Sequence, residues 1–261
     1  MSLVYVYAIA RAGSPASGEL RGLDDGPVRA VGDGDFVAFV SDVSEQEYGE
    51  APLNAHLADM DWLAPRAVRH QEVNAALAAR CDPLLPLSFG TVFRDTAGVL
   101  RMLRERAPEM GPRADALRGR AEWIAVIRRD TQKAAAAVGT ASEPLAALRG
   151  AIEAAPPGRG YLLTRQLEDA KRTALRAADA AAIGDATDAF ERAGMRLFRE
   201  PLVEDAGGGM LARFSVLAGR DGAAALERLR AAYAKGWEER GYALELSGPW
   251  PAYRFSTVDL A

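Results

Sequence analysis

The sequence predicts an α+β fold built of two modules, and three observations carry that expectation. Segments rich in β-branched and aromatic residues occur toward both ends of the 261-residue chain. Each group of such segments is interleaved with stretches whose apolar residues fall three and four apart, as a helix requires. Between the groups lies an alanine-rich middle with helical spacing throughout. The expected plan is therefore an α+β domain over 1–131, a helical hairpin over 132–194, and a smaller α+β domain over 195–261 packed with a long helix at 160–194.

The elements follow in order. "LVYVYAIA", Leu3 to Ala10, reads as a strand that ends in the loop "RAGSPASG". "VRAV", "GDGD" and "FVAFVSDV" form a hairpin turning on glycine and aspartate. Phe36 to Val40 is apolar throughout, the pattern of a strand buried on both faces. From Leu53 to Arg80 the spacing is helical, with Leu57, Met60, Leu63, Val68 and Val73 on one side and Pro65 dividing an opening turn from the main helix. In "DPLLPLSFGTVFRD" two prolines and Gly90 break the helix, leaving Leu87 to Phe93 extended. Asp95 caps the next helix, which turns Val99, Met102 and Leu103 inward. "EWIAVIRRD" alternates Trp123, Ala125 and Ile127 against Ile124 and Val126, as a strand does. This succession places helices on one face of a mostly antiparallel sheet.

In the middle, Ser142 and Pro144 start a helix carrying Leu145, Leu148 and Ile152. A longer helix runs from about Tyr161, with Leu163, Leu167, Ala170, Ala174, Ala177 and Ala181 forming a heptad seam that buries little apolar area. Gly194 ends it. "MRLFREPLV" and "MLARFSVLAG" flank the loop "EDAGGG" as a hairpin. A helix capped by Asp221 carries Ala225, Leu226, Leu229 and Tyr233, and "YALELSGPWPAYRF" closes the module. Proline has no amide donor, so Pro249 and Pro251 exclude a central ladder position there.

Composition narrows the function. The 32 basic and 36 acidic residues are mixed along the chain and leave a net charge of −4, so no electrostatic footprint for nucleic acid is present. No run of about 18 apolar residues predicts a membrane span, and the apolar start lacks a basic region before it, so a cytoplasmic location is expected. Cys81 is the single cysteine and cannot form an internal disulfide.

No catalytic, cofactor or metal site is expected. "GDGD" and "DAGGG" lack the strand-to-helix setting that cradles a phosphate. His56 and His70 lie fourteen residues apart, about four helical turns, and cannot share a ligand. Each reads as a packing or surface histidine. Cys81 falls at a helix C-terminus, where the dipole raises a thiol pKa. What stands out is aromatic: "PLSFGTVF" with Phe89 and Phe93, and "LSGPWPAYRF" with Trp250 and Tyr253. These four either pack into their own domain or remain partly exposed as an apolar contact patch.

The same residues carry a resemblance. "VYVYAI", "WLAPRAVRHQEVNAAL" leading into "PLLPLSFGTVF", "EWIAVIRRD" and "LELSGPWPAYRF" occur in this order in the GvpF/GvpL family of gas vesicle accessory proteins, which the chain resembles over essentially its whole length. Here "HQEV" stands where an acidic residue often follows the histidine. The resemblance implies a ferredoxin-like N-terminal α+β domain and a C-terminal α+β domain joined by a helical element. It implies a non-catalytic, chaperone-like assembly factor of the gas vesicle. Such a protein binds the very hydrophobic shell protein and other accessory proteins, with self-association open. Its motifs are structural fingerprints, so they transfer no site. Two rival readings are a metabolite sensor binding between paired ferredoxin-like modules, which needs a partly polar pocket, and an enzyme using His70 with Glu72. Adjacent helical residues point apart, so His70 and Glu72 do not form a dyad by themselves.

Overall fold

The computed structural model describes residues 2–14, 19–202 and 209–256. The chain divides into two compact units, one of Met1–Glu122 with Pro249–Ala261 and one of Trp123–Gly248.

The first unit contains β1 (Ser2–Arg11), β2 (Arg29–Asp33), β3 (Phe36–Ser44), α1 (Glu45–Tyr48), α2 (Glu50–His56), α3 (Met60–Ala78), β4 (Leu84–Pro86), β5 (Val92–Phe93) and α4 (Thr96–Leu117). Its strands run in the order β2-β3-β1-β4, with β5 also on β1, and each pairing is antiparallel. The register of β1 against β3 shifts between Val6 and Ala8, so Tyr7 is an extra residue. A bulge re-aims the side chains that follow it. Tyr5, Tyr7, Ala8 and Ala10 consequently share one core with Val73 and Leu77 of α3. Every residue from Val4 to Ala10 is buried, so β1 is covered on both faces, where helices on one face were expected. Its unbroken apolar run suits that position.

α3 departs from its expected pattern. The break falls at Asp59, whose carboxylate accepts from the amides of Asp61 and Trp62, and Pro65 lies inside the helix. Of the expected apolar side Val73 is buried and Leu63 half-buried, but Leu57, Met60 and Val68 are 43%, 65% and 58% exposed. The buried stripe is His70, Val73, Asn74 and Leu77, which keeps helical spacing while admitting two polar side chains.

The second unit contains β6 (Arg120–Arg129), α5 (Thr131–Ala141), α6 (Glu143–Glu153), α7 (Pro157–Arg192), β7 (Arg196–Arg199), β8 (Met210–Gly219), α8 (Ala223–Glu239) and β9 (Tyr242–Trp250). Its sheet order is β7-β8-β6-β9. The strand at 120–129 thus joins the second sheet, although the sequence plan grouped it with the first module. Without it the second sheet would be a hairpin and a lone edge, which is marginal on its own. Trp123, Ala125 and Ile127 instead enter a core with Phe214, Val216 and Trp237. Three helices, α5, α6 and α7, lie between β6 and β7, and α8 lies between β8 and β9. In the first unit, the described part of the β1–β2 connection carries a 3₁₀ turn at Leu23–Asp25 and no α-helix.

The expected heptad seam is not continuous. Leu167 is buried, but the later core positions of α7 are Ala182, Ala186 and Phe190, while Ala177 and Ala181 are exposed. The helix changes partner along its length, from α6 to the sheet, and a straight helix drifts away from a 3.5-residue repeat. Ser142 makes no side-chain cap, and Asp221 lies in the 3₁₀ turn Arg220–Gly222, with Gly222 capping α8. Gly194 ends α7 at φ +72° as expected.

Candidate partner-binding site

β9 lies at the edge of its sheet, the position that Pro249 within it requires. Beyond it the chain returns to the first unit as the short helix α9 (Tyr253–Ser256). The plan that kept 195–261 together does not describe this segment. Among the bonds that hold it, Asn74 Nδ2 donates to the Tyr253 hydroxyl at 2.8 Å, the Arg254 amide donates to Glu122 Oε2 at 2.8 Å, and Ser256 Oγ donates to the Pro86 carbonyl at 3.0 Å.

Next to this segment sits a buried polar cluster centred on His70, which is 4% exposed. Its Nδ1 lies 2.9 Å from the Tyr5 hydroxyl. Its Nε2 lies 2.9 Å from Asn74 Nδ2 and 3.2 Å from the Leu87 carbonyl. The Gly90 amide donates to the Tyr5 hydroxyl at 3.1 Å, which ties the "SFGT" loop to the cluster. The rings of Tyr5, Tyr7, Phe89 and Tyr253 surround the imidazole at 5.7, 5.8, 5.7 and 6.2 Å. Burial lowers the pKa of His70 to about 4 against a weaker raising effect of the Leu87 carbonyl, so the ring is neutral near pH 7. Burial pushes Tyr253 up to about 12. Both ring nitrogens of His70 have polar partners, while Asn74 Oδ1 is buried without a hydrogen-bond partner among the described residues; the packed rings and bonds hold the cluster together.

A second aromatic group lies beside it. His56 stacks on Trp62 at 4.5 Å, and Trp62 Nε1 donates to Glu47 Oε2 at 2.6 Å. Arg66 lies over the Trp62 ring at 4.3 Å and donates from Nε to the Tyr48 hydroxyl at 3.1 Å.

An open groove of about 810 Å³ runs between β5 and the α1–α2 segment of this unit. Tyr48, Leu53, Val92 and Phe93 give it apolar walls, and Glu45, Glu50 and Arg94 supply charge. It meets β1 at Ser2 and Leu3, just beyond the last β5 partner, Val4.

The four sequence-predicted contact residues therefore separate. Phe89 and Tyr253 converge on His70 and build the platform, Phe93 lines the groove, and Trp250 on β9 is 39% exposed. Sequence reasoning missed Asn74 and Glu122. Asn74 sits four residues after His70, a spacing that places both on one helical face. Glu122 carried no local signal, because its partner is 132 residues away. Among the described residues no group of three His, Cys, Asp or Glu side chains could hold a metal ion. No described helix is long and apolar enough to cross a membrane.

The family model described as gas vesicle synthesis protein GvpL/GvpF matches residues 3–257. Gas vesicle protein L of Streptomyces sp. (strain CB03234) is 37% identical over 167 residues, covering 62% of this chain and 58% of that protein, so the match spans little more than half of that relative. Gas vesicle protein F of the same strain is 31% identical over 263 aligned positions, covering 96% of this chain and 98% of the relative. The fold matches the crystal structure of the gas vesicle protein GvpF from Anabaena sp. PCC7120 with a TM-score of 0.77 at 18% identity, over 99% of this chain and 100% of the other. It matches GvpF from Microcystis aeruginosa with a TM-score of 0.70 at 17% identity, over 98% and 99%.

Proposed function

The chain belongs to the gas vesicle synthesis protein GvpL/GvpF family, and from that premise we propose that it is an accessory factor of gas vesicle assembly. In this reading it binds the hydrophobic shell-forming subunit and other accessory proteins, in the cytoplasm and at the growing vesicle, and assists nucleation of the shell. A subunit with a gas-facing apolar surface aggregates in water unless a carrier covers that surface.

The observation that carries the reading is the groove beside β5. Its apolar wall includes the half-buried Phe93 and sits at the end of a strand edge, a setting in which an extended segment adds main-chain hydrogen bonds and side-chain contacts together. Phe93 and the exposed Trp250 are the proposed contacts; Phe89 and Tyr253 support them from within.

The test is co-expression with the shell subunit, reading how much shell protein stays soluble and co-purifies. Capture by the natural chain, lost in Phe93→Asp while circular dichroism is unchanged, supports the groove. Capture unaffected by Phe93→Asp moves the contact elsewhere. Absence of capture by the folded natural chain overturns the carrier reading.

A further inference from the structure

We propose that Pro249–Ser256 is an exchangeable clasp: the socket on the first unit that holds it also accepts the same segment of a second copy, so that two chains join by trading their C-terminal clasps.

The clasp reaches its socket by an indirect route. β9 belongs to the second sheet and lies at its edge, whereas the residues after Gly248 belong to the first unit. Gly248 has a φ of +142°, a conformation open to glycine and strained for other residues. One glycine therefore pivots the crossing, and Pro249 and Pro251 keep the segment beyond it stiff. An edge strand has ladder bonds on one side only, so the end of β9 can detach without opening the sheet.

Recognition does not depend on the covalent path. The socket consists of Asn74 Nδ2, the Pro86 carbonyl and Glu122 Oε2, which meet the Tyr253 hydroxyl, Ser256 Oγ and the Arg254 amide. Pro251, Ala252 and Ser256 are buried in place. A clasp delivered by another chain presents the same groups to the same partners. An empty socket leaves buried polar groups with fewer partners, which is costly. Opening is thus favoured only when another clasp refills the site, the circumstance that makes exchange of identical elements a low-cost route to dimers.

Complementation with two full-length variants tests it. Tyr253→Ala/Ser256→Ala breaks the clasp and keeps the socket; Asn74→Ala weakens the socket and keeps the clasp. Each, folded by circular dichroism, should be monomeric by light scattering. Their mixture, near the millimolar effective concentration of a short tether, should hold at least tenfold more dimer, in a one-to-one ratio. A mixture that stays monomeric overturns the proposal. Should Asn74→Ala fail to fold, a fluorescent peptide of residues 248–256 decides. It should bind the Tyr253→Ala/Ser256→Ala chain at least tenfold more tightly than the natural chain, whose own clasp competes; equal or absent binding overturns exchange.

Discussion

Asn74 and Tyr253 are 179 residues apart in sequence, and the amide of the first donates to the hydroxyl of the second at 2.8 Å. The same amide nitrogen lies 2.9 Å from Nε2 of His70. One side chain of α3 thereby links the C-terminal segment to the buried cluster, and stability and docking of that segment become coupled quantities.

Removing only the hydroxyl separates the bond from the ring. Tyr253→Phe should cost about 1 kcal/mol, the usual net value of a buried hydrogen bond. Tyr253→Ala should cost about 3 kcal/mol or more, because the ring against His70 is lost as well. Urea unfolding midpoints of the two variants check the difference.

His70 sets a pH dependence. Its folded pKa of about 4 lies below the ordinary 6.5 because burial disfavours the charged ring. Between those values the unfolded chain binds a proton that the folded chain does not. Stability from this group is therefore complete above about pH 6.5, falls as pH drops toward 4, and loses on the order of 3 kcal/mol across the window. Urea unfolding at stepped pH should show this slope in the natural chain and its absence in His70→Gln.

Two glycines should respond in opposite directions. A Cβ on Gly22 would lie 2.2 Å from the Tyr7 hydroxyl, which already accepts from the Leu23 amide at 2.7 Å and meets Ser41 Oγ at 2.7 Å. Gly22→Ala should destabilise by about 1–3 kcal/mol through overpacking. A Cβ on Gly150, inside α6, would meet nothing within 4 Å, and Gly150→Ala should stabilise by about 0.5–1 kcal/mol. Paired thermal melts read both.

In the second unit, Asp179 of α7 joins Arg129 of β6 and accepts from the Tyr242 hydroxyl of β9. Asp179→Ala strands a largely buried guanidinium and should cost about 3 kcal/mol, whereas Asp179→Asn, which keeps an acceptor, should cost less. The difference in urea midpoint is the measurement.

Much of the local structure was legible. The strands at 3–10, 36–44 and 210–219 and the caps at Asp95 and Gly194 follow from side-chain branching, alternation and backbone constraints acting within a few residues. The α3 face was read correctly only at Val73: apolar periodicity also selected Leu57, Met60 and Val68, which are exposed, while the core admits His70 and Asn74 through hydrogen bonds supplied from distant strands and from the C-terminal segment. Of the candidate site, the aromatics were visible as types; their division between platform, groove and edge was not.

The sequence by itself determined the α+β class, the type of most elements and the edge position of the last strand, since Pro249 removes a ladder donor wherever that strand is placed. Only the tertiary structure decided that 120–129 completes the second sheet and that 249–256 returns to the first unit. Backbone propensity is settled by neighbours in the chain, whereas the choice of pairing partner is settled by which long-range contacts bury the most apolar surface and leave the fewest polar groups unpaired.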